Sequence, residues 1–267
     1  MKKIQVLLFL LFSFSFNLFA QDTSKFNLIN SIAADIDFFT TDNQSNIYTV
    51  KANILTKYDK TGKLLYKYSN KKFGNITFVD ASNMLKILVF YRNYLQAVFL
   101  DNTLSNNGDP ISLEKLNFIQ AQLVCTSHNN GMWIYDQQNL ELVRIDQNLE
   151  HTQQTGNLAA LLGMDMHPDF LIEYNNKVYL NNPGTGILVF DIYGTYYKTI
   201  PINAKQFQPF GELVYYSTGD GIKAYDLRTA DELTFSTPLK EFKNFRLEMG
   251  VLALQTKDTV QLYVPVK

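Results

Sequence analysis

Asn46-Ile47-Tyr48-Thr49-Val50-Lys51-Ala52-Asn53-Ile54-Leu55-Thr56-Lys57-Tyr58-Asp59-Lys60-Thr61-Gly62-Lys63-Leu64-Leu65-Tyr66-Lys67-Tyr68 is three short apolar runs cut by two polar turns. Asn46 to Val50 alternates as a strand, and Ile54 to Tyr58 forms the next one. Lys63 to Tyr68 places Leu64, Tyr66 and Tyr68 on one face. Asp59 to Gly62 is turn chemistry, with glycine placed for a positive φ. Upstream, Phe38 to Thr41 supplies an innermost strand and Asp42-Asn43-Gln44-Ser45 its turn. One unit therefore holds four short strands.

The unit repeats. A large apolar residue, usually followed by Asp, closes the third strand at Tyr58-Asp59, Leu100-Asp101, Ile145-Asp146, Phe190-Asp191, Tyr225-Asp226 and, in degenerate form, Tyr263-Val264. The spacings are 42, 45, 45, 35 and 38 residues. Four strands in a period of about 40 residues are the mark of a propeller blade. The expected strands are Ile76–Val79, Leu85–Tyr91, Gln96–Leu100 and Ile111–Leu113 in the second unit, and Ala121–Thr126, Met132–Tyr135, Leu140–Ile145 and a polar edge near Thr152 in the third. The fourth has Phe170–Tyr174, Lys177–Leu180, Ile187–Phe190 and Tyr196–Ile202, and the fifth Gln206–Phe210, Leu213–Tyr216, Ile222–Tyr225 and Glu232–Phe235. The sixth has only Phe245–Glu248, Val251–Gln255 and Val260–Val264. The spare run Phe26 to Ile32 supplies its missing outer strand, with Leu28 and Ile32 on one face of a regular strand. The expectation is an all-β, six-bladed β-propeller of four-stranded antiparallel blades, closed by the N-terminal strand. A seventh blade would need about 40 more residues.

Composition agrees with this class. Sixteen Tyr and 20 Phe suit pleated, half-buried surfaces. At the N-terminus, Lys2 and Lys3 precede an apolar stretch from Ile4 to Phe19, and Ala20 is followed by Gln21. That is the layout of a secretory signal peptide. The stretch is interrupted by Gln5, Ser13, Ser15 and Asn17 and is short for a membrane span. The expected domains are a signal peptide over 1–20 and one propeller over 21–267. Without residues 1–20 there remain 22 basic and 25 acidic residues, a net charge of about −3. No basic stripe is present, so nucleic acid is not an expected partner. The single Cys125 excludes an intramolecular disulfide and sits in an apolar run as a small buried hydrophobe. Gln at position 21 leaves no lipid-accepting cysteine after the cut, so the expected location is the periplasm, soluble or peripherally associated with the outer membrane.

The units Asn46-Ile47-Tyr48, Lys57-Tyr58-Asp59 and Gly62-Lys63 resemble those of bacterial six-bladed propellers of the NHL and TolB-like type. The leader and the richness in Asn, Lys, Ile and Tyr resemble exported proteins of Bacteroidota. The resemblance implies architecture rather than a particular activity.

In such a ring, recognition concentrates on the loops joining strand two to three and strand four to the next blade. Arg92, Asp136, His167, Asp220 and Lys257 are the leading polar residues there for a ligand or partner. The longest of these loops, Asn157 to Asp169, holds His167 between Asp165 and Asp169. Imidazole and carboxylate together suit a divalent metal, but Asp-x-His-Pro-Asp is also turn chemistry and spacing supplies no further ligand. The Gly-rich stretches Asn181 to Gly186 and Ser217 to Gly221 lead into strands, whereas a phosphate cradle leads into a helix. The repeated Asp59, Asp101, Asp146, Asp191 and Asp226 fall in turns far from the axis and are expected to cap them. No catalytic, metal or cofactor set is assigned. The function expected is a non-catalytic binding or scaffold propeller that engages an envelope protein, with no integral membrane segment after signal cleavage. The alternative is a metal-dependent, lactonase-like hydrolase using acids that project into the channel. Its candidates are Asp37, Asp80, Glu173, Glu212 and Glu248, in irregular registers.

Overall fold

The computed structural model describes residues 26–33, 35–219 and 221–266. Strand β1 (Phe26–Ala33) comes first and stands apart from the blade that follows it in sequence. Blade 1 is β2 (Phe38–Thr41), β3 (Ile47–Lys51), β4 (Ile54–Tyr58) and β5 (Leu64–Ser69). Blade 2 is β6 (Phe78–Asp80), β7 (Ile87–Tyr91), β8 (Gln96–Leu100) and β9 (Ile111–Ser112). Blade 3 is β10 (Ala121–Thr126), β11 (Met132–Asp136), β12 (Glu141–Ile145) and β13 (His151–Gln154). A short helix, α1 (Leu158–Leu162), lies in the long connection to blade 4, which is β14 (Phe170–Tyr174), β15 (Lys177–Asn182), β16 (Gly186–Asp191) and β17 (Tyr196–Ile200). Blade 5 is β18 (Phe207–Phe210), β19 (Leu213–Ser217), β20 (Ile222–Asp226) and β21 (Glu232–Phe235). Blade 6 is β22 (Asn244–Glu248), β23 (Val251–Gln255), β24 (Thr259–Pro265) and, outermost, β1. The molecule is a six-bladed β-propeller, and all sheet pairings are antiparallel.

The repeated aspartates explain the blade spacing. Asp59 Oδ1 accepts from the N–H groups of Thr61 (2.8 Å) and Lys63 (3.0 Å). Asp101, Asp146 and Asp191 do the same with the N–H groups two and four residues on. Asp226 accepts from Arg228 and Thr229 in a slightly longer loop. Each carboxylate satisfies turn donors that no strand reaches, and these hydrogen bonds hold its pKa down where the shift is resolved, as at Asp101, Asp146 and Asp226. The turn also needs a left-handed residue three positions after Asp. Gly62 supplies it at φ +83°, whereas Leu104 and Leu149 take φ +60° and +66° there. That conformation costs leucine local backbone strain, which Leu104 offsets by burying its side chain.

The core is not one mass but six apolar seams, one between each pair of neighbouring blades. The seam of blades 1 and 2 gathers Tyr48, Val50 and Leu55 with Val89, Tyr91 and Val98, all essentially inaccessible. That of blades 3 and 4 gathers Trp133 and Tyr135 with Leu180, Leu188 and Phe190. Cys125 lies in this seam, and burial pushes its thiol pKa up, as expected of an inert apolar filler. Each large side chain buried this way stabilises the fold by about 1.5–3 kcal/mol.

Closure by β1 occurs in the expected blade but with one correction. Ile32 faces Val260 and is 5 % exposed, in the seam against blade 1. Leu28 is 53 % exposed and does not share that environment. The pairing slips between Leu28 and Asn30, so an extra residue rotates the strand and places Leu28 and Ile32 on opposite faces. Phe26, beyond the slip, packs against Phe235 of blade 5, ring centroids 6.2 Å apart. The bulge lets one strand serve both flanking seams. Among the described residues, no helix is long and apolar enough to cross a membrane.

Candidate functional site

The inner strand of each blade borders a central channel. Phe38, Phe78, Phe170 and Phe207 occupy the same register, the first residue of the inner strand in blades 1, 2, 4 and 5. The last three interlock edge to face, with Phe78–Phe170 at 5.9 Å and Phe170–Phe207 at 5.2 Å. They form a collar shared by two cavities. The upper one, about 220 Å³, opens among Thr77, Asp169, Lys205 and Asn244. The lower one, about 260 Å³, continues past Thr41, Asp80, Glu173, Gln208 and Glu248.

The acids of the lower cavity have unequal surroundings. Asp80 accepts from the N–H of Ser82 (2.9 Å), the N–H of Thr126 (2.8 Å) and the Thr126 hydroxyl (2.7 Å). Glu173 of blade 4 accepts from four groups of blade 3: Ser127 Oγ at 2.6 Å, Trp133 Nε1 at 2.8 Å, His128 N at 2.9 Å and His128 Nδ1 at 3.1 Å. Both carboxylates tie one blade to its neighbour. Arg144, 4 % exposed, completes the same join by donating to Ser127 Oγ and the His128 carbonyl.

Across the channel the pairing is sparse. Glu248 receives one side-chain donor, Gln208 Nε2 at 2.8 Å, and burial pushes its carboxyl up to about 7 against the pull of Arg246. Arg246 donates once, from Nη1 to the Phe245 carbonyl at 3.3 Å, and lies 6.0 Å from the centroid of the Phe170 ring. Burial lowers its guanidinium to about 10, still charged at neutral pH. Among the described residues no group of three His, Cys, Asp or Glu side chains is arranged to hold a metal.

The sequence-derived candidates scatter around the opposite rim. Arg92 lies in a 3-10 turn between β7 and β8; its backbone N–H donates to Thr77 Oγ1 (3.0 Å), burial lowers its guanidinium pKa, and its Nε is enclosed without a partner. Asp136, 3 % exposed, is held within its own turn by Gln138 N (3.1 Å) and Asn139 Nδ2 (2.7 Å). His167 is exposed, its backbone N–H anchored on Asn182 Oδ1 at 2.7 Å. Lys257 is exposed between β23 and β24. Asp220 lies outside the described residues. The four described side chains, Arg92, Asp136, His167 and Lys257, do not line one common pocket among the described residues. Of the five proposed channel acids, Asp80, Glu173 and Glu248 do meet in one cavity. Asp37 instead pairs with Lys51 (3.2 Å) and the Ala52 N–H on the outside, and Glu212 sits in the exposed β18–β19 turn. Arg246 and Gln208 carry no signal in the loops read from the sequence, although Arg246 stands two residues before the candidate acid Glu248 on the same strand face.

No protein-family model and no curated protein matches the chain. Solved structures do. A streptogramin B lyase shares 11 % identity at TM-score 0.60 over 90 % of this chain and 98 % of its own. Virginiamycin B lyase from Staphylococcus aureus shares 12 % identity at TM-score 0.57, covering 85 % and 80 %. BBS1N, crystallised in complex with ARL6DN, shares 11 % identity at TM-score 0.54, covering 86 % and 77 %. Likeness at this identity carries the propeller fold alone.

Proposed function

We propose that the protein is an exported binding or scaffold propeller of the cell envelope, non-catalytic, meeting a protein partner through the rim that carries Arg92, His167 and Lys257. The observation that supports it most is the engagement of Asp80 and Glu173. Three and four donors hold these acids between blades. A metal-dependent hydrolase would have to free both from those donors, at a cost of roughly 1–3 kcal/mol for each donor left unpaired. The same rim exposes Tyr94, Ile119 and Leu161 at 57 %, 56 % and 59 %, in neighbouring connections of blades 2 to 4. Large apolar side chains ringed by charge suit a protein surface. The signal-like leader, the NHL-type resemblance and the single-propeller reading of residues 21–267 belong to the same proposal. Proximity crosslinking in the native envelope tests it, with Tyr94→Ser/Leu161→Ser and Arg92→Ala/His167→Ala/Lys257→Ala variants on one rim and Leu85→Ser/Met249→Ser on the other. Loss of crosslinks only with the first sets is expected. Loss only with the last would overturn the choice of face, and retention of residues 1–20 in the intact mass would overturn export.

A further inference from the structure

Among the described residues Arg246 is the cation that lines the lower cavity, and it is sparsely partnered. It lies on an inner strand, half-buried, with no carboxylate oxygen within 4.0 Å among the described residues. Three other part-buried cations are better supplied. Arg144 donates to four neighbouring residues, Lys57 to the Asn102 carbonyl and Lys86 to the Asn130 carbonyl. Arg246 has one long bond to its neighbour's carbonyl and the face of Phe170. A guanidinium so placed has lost much of its hydration and gained little in return.

A second observation points into the same space. Thr41, 8 % exposed, lines the lower cavity with Arg246, and its hydroxyl Oγ1 has no hydrogen-bond partner. Buried hydroxyls are ordinarily bonded, so this one is a donor without an acceptor. The apolar part of the lining is Phe78, Phe170 and Phe207, with Val79, Ile172 and Pro209; three carboxylates share the cavity, of which Asp80 and Glu173 are engaged by three and four donors and Glu248 by one. A guanidinium and an unpaired hydroxyl beside an aromatic collar suit an anionic oxygen group on an apolar body. The guanidinium fork suits a planar carboxylate.

We propose that the central channel binds a small organic carboxylate with an aromatic or similarly flat apolar body, its carboxylate at Arg246 and its body against the Phe78–Phe170–Phe207 collar. This goes beyond the partner-binding reading and is independent of it, because the rim and the channel use different residues.

Glu248 tunes the site. Its carboxylate competes with an incoming anion for Arg246, so its protonation favours binding. The groups facing it are Arg246 on its own strand, Gln208 from β18, Asp42 from the β2–β3 turn and Asp80 from β6, with Glu173 and its partner His128 farther round the wall. Affinity for an anion therefore rises as the pH falls through the range where Glu248 takes up its proton. A Glu248→Gln variant isolates the contribution of Glu248 to that slope.

The experiment is calorimetric and NMR titration of the purified full-length mature protein with phenylacetate and indole-3-acetate, using phenylacetamide and indole-3-acetamide as neutral counterparts. At least one acid is expected to bind about tenfold or more tighter than its amide. Arg246→Met should remove that preference, and Arg246→Lys should restore part of it, each checked for an unchanged melting profile. Binding of the acid should strengthen several-fold from pH 8 to pH 6 in the unmodified protein and stay level in Glu248→Gln. Equal binding of acid and amide, no binding of either acid at millimolar concentration, or full retention in a folded Arg246→Met protein would each overturn the proposal.

Discussion

Glu173 and Glu248 stand near the ends of inner strands in blades 4 and 6, facing one channel, yet they carry opposite loads. Glu173 accepts four hydrogen bonds from blade 3. Glu248 accepts one to its side chain, from Gln208, and its carboxyl is driven up to about 7. The apolar seams differ in the same sense. Among the described residues the seam of blades 3 and 4 buries 12 hydrophobic residues, whereas the seam of blades 6 and 1 buries six and that of blades 5 and 6 five. The first wall is built from consecutive chain and locked by satisfied charge. The second is assembled from the two ends of the described chain and leaves its charges in part uncompensated. A ring can thus be rigid on one side and adaptable on the other without any change of repeat.

The sharpest way to break this contrast is at the closing strand. Ile32→Asp places a carboxylate in the thin seam of blades 6 and 1 and should destabilise the fold by about 3–5 kcal/mol. Leu28→Asp, on the exposed side of the bulge, should stay within about 0.5 kcal/mol. Urea denaturation of the two variants checks both, and equal losses would mean that the register slip is absent. A smaller effect is expected at the locked wall. Glu173→Gln keeps one acceptor oxygen but turns an amide N–H₂ towards groups that are themselves donors, a loss of about 2–3 kcal/mol. The Trp133 indole, released from Glu173 Oε2, should show the change in its N–H resonance.

How much of this could be read beforehand follows from what each residue depends on. The blades were legible because Asp59, Asp101, Asp146, Asp191 and Asp226 each satisfy donors within four residues, so their signal is local. The orphan strand was legible by counting strands. The face of Leu28 was not, because a bulge is set by what both neighbouring seams demand and no Gly or Pro marks it. Nor was the burial of Asp136, which looks like any loop carboxylate until Asn139 folds onto it. The channel was partly legible. Phe38, Phe78, Phe170 and Phe207 share one register of the repeat, and aligning the inner strands would have exposed the collar. Arg246 escaped because attention to loops passes over a cation within a strand, and its sparse pairing is set by side chains of four other blades.

The smallest effect is also the most telling, because its sign is at stake. Glu248 has a folded pKa raised above its unfolded value, so the native state holds the extra proton between about 4.5 and 7. Stability is then lost as the pH rises through that window, and the penalty is fully present above it. Glu248→Gln removes the penalty while keeping an acceptor for Gln208. Thermal denaturation of Glu248→Gln and Glu173→Gln beside the unmodified protein at pH 5 and pH 8 is the direct test. The account predicts that at pH 8 Glu248→Gln is more stable than the parent by about 1–2 kcal/mol, after allowance for its partial exposure, while Glu173→Gln is less stable at both pH values. Two variants destabilised alike at pH 8 would contradict it, for the two walls of the channel would then be held in the same way.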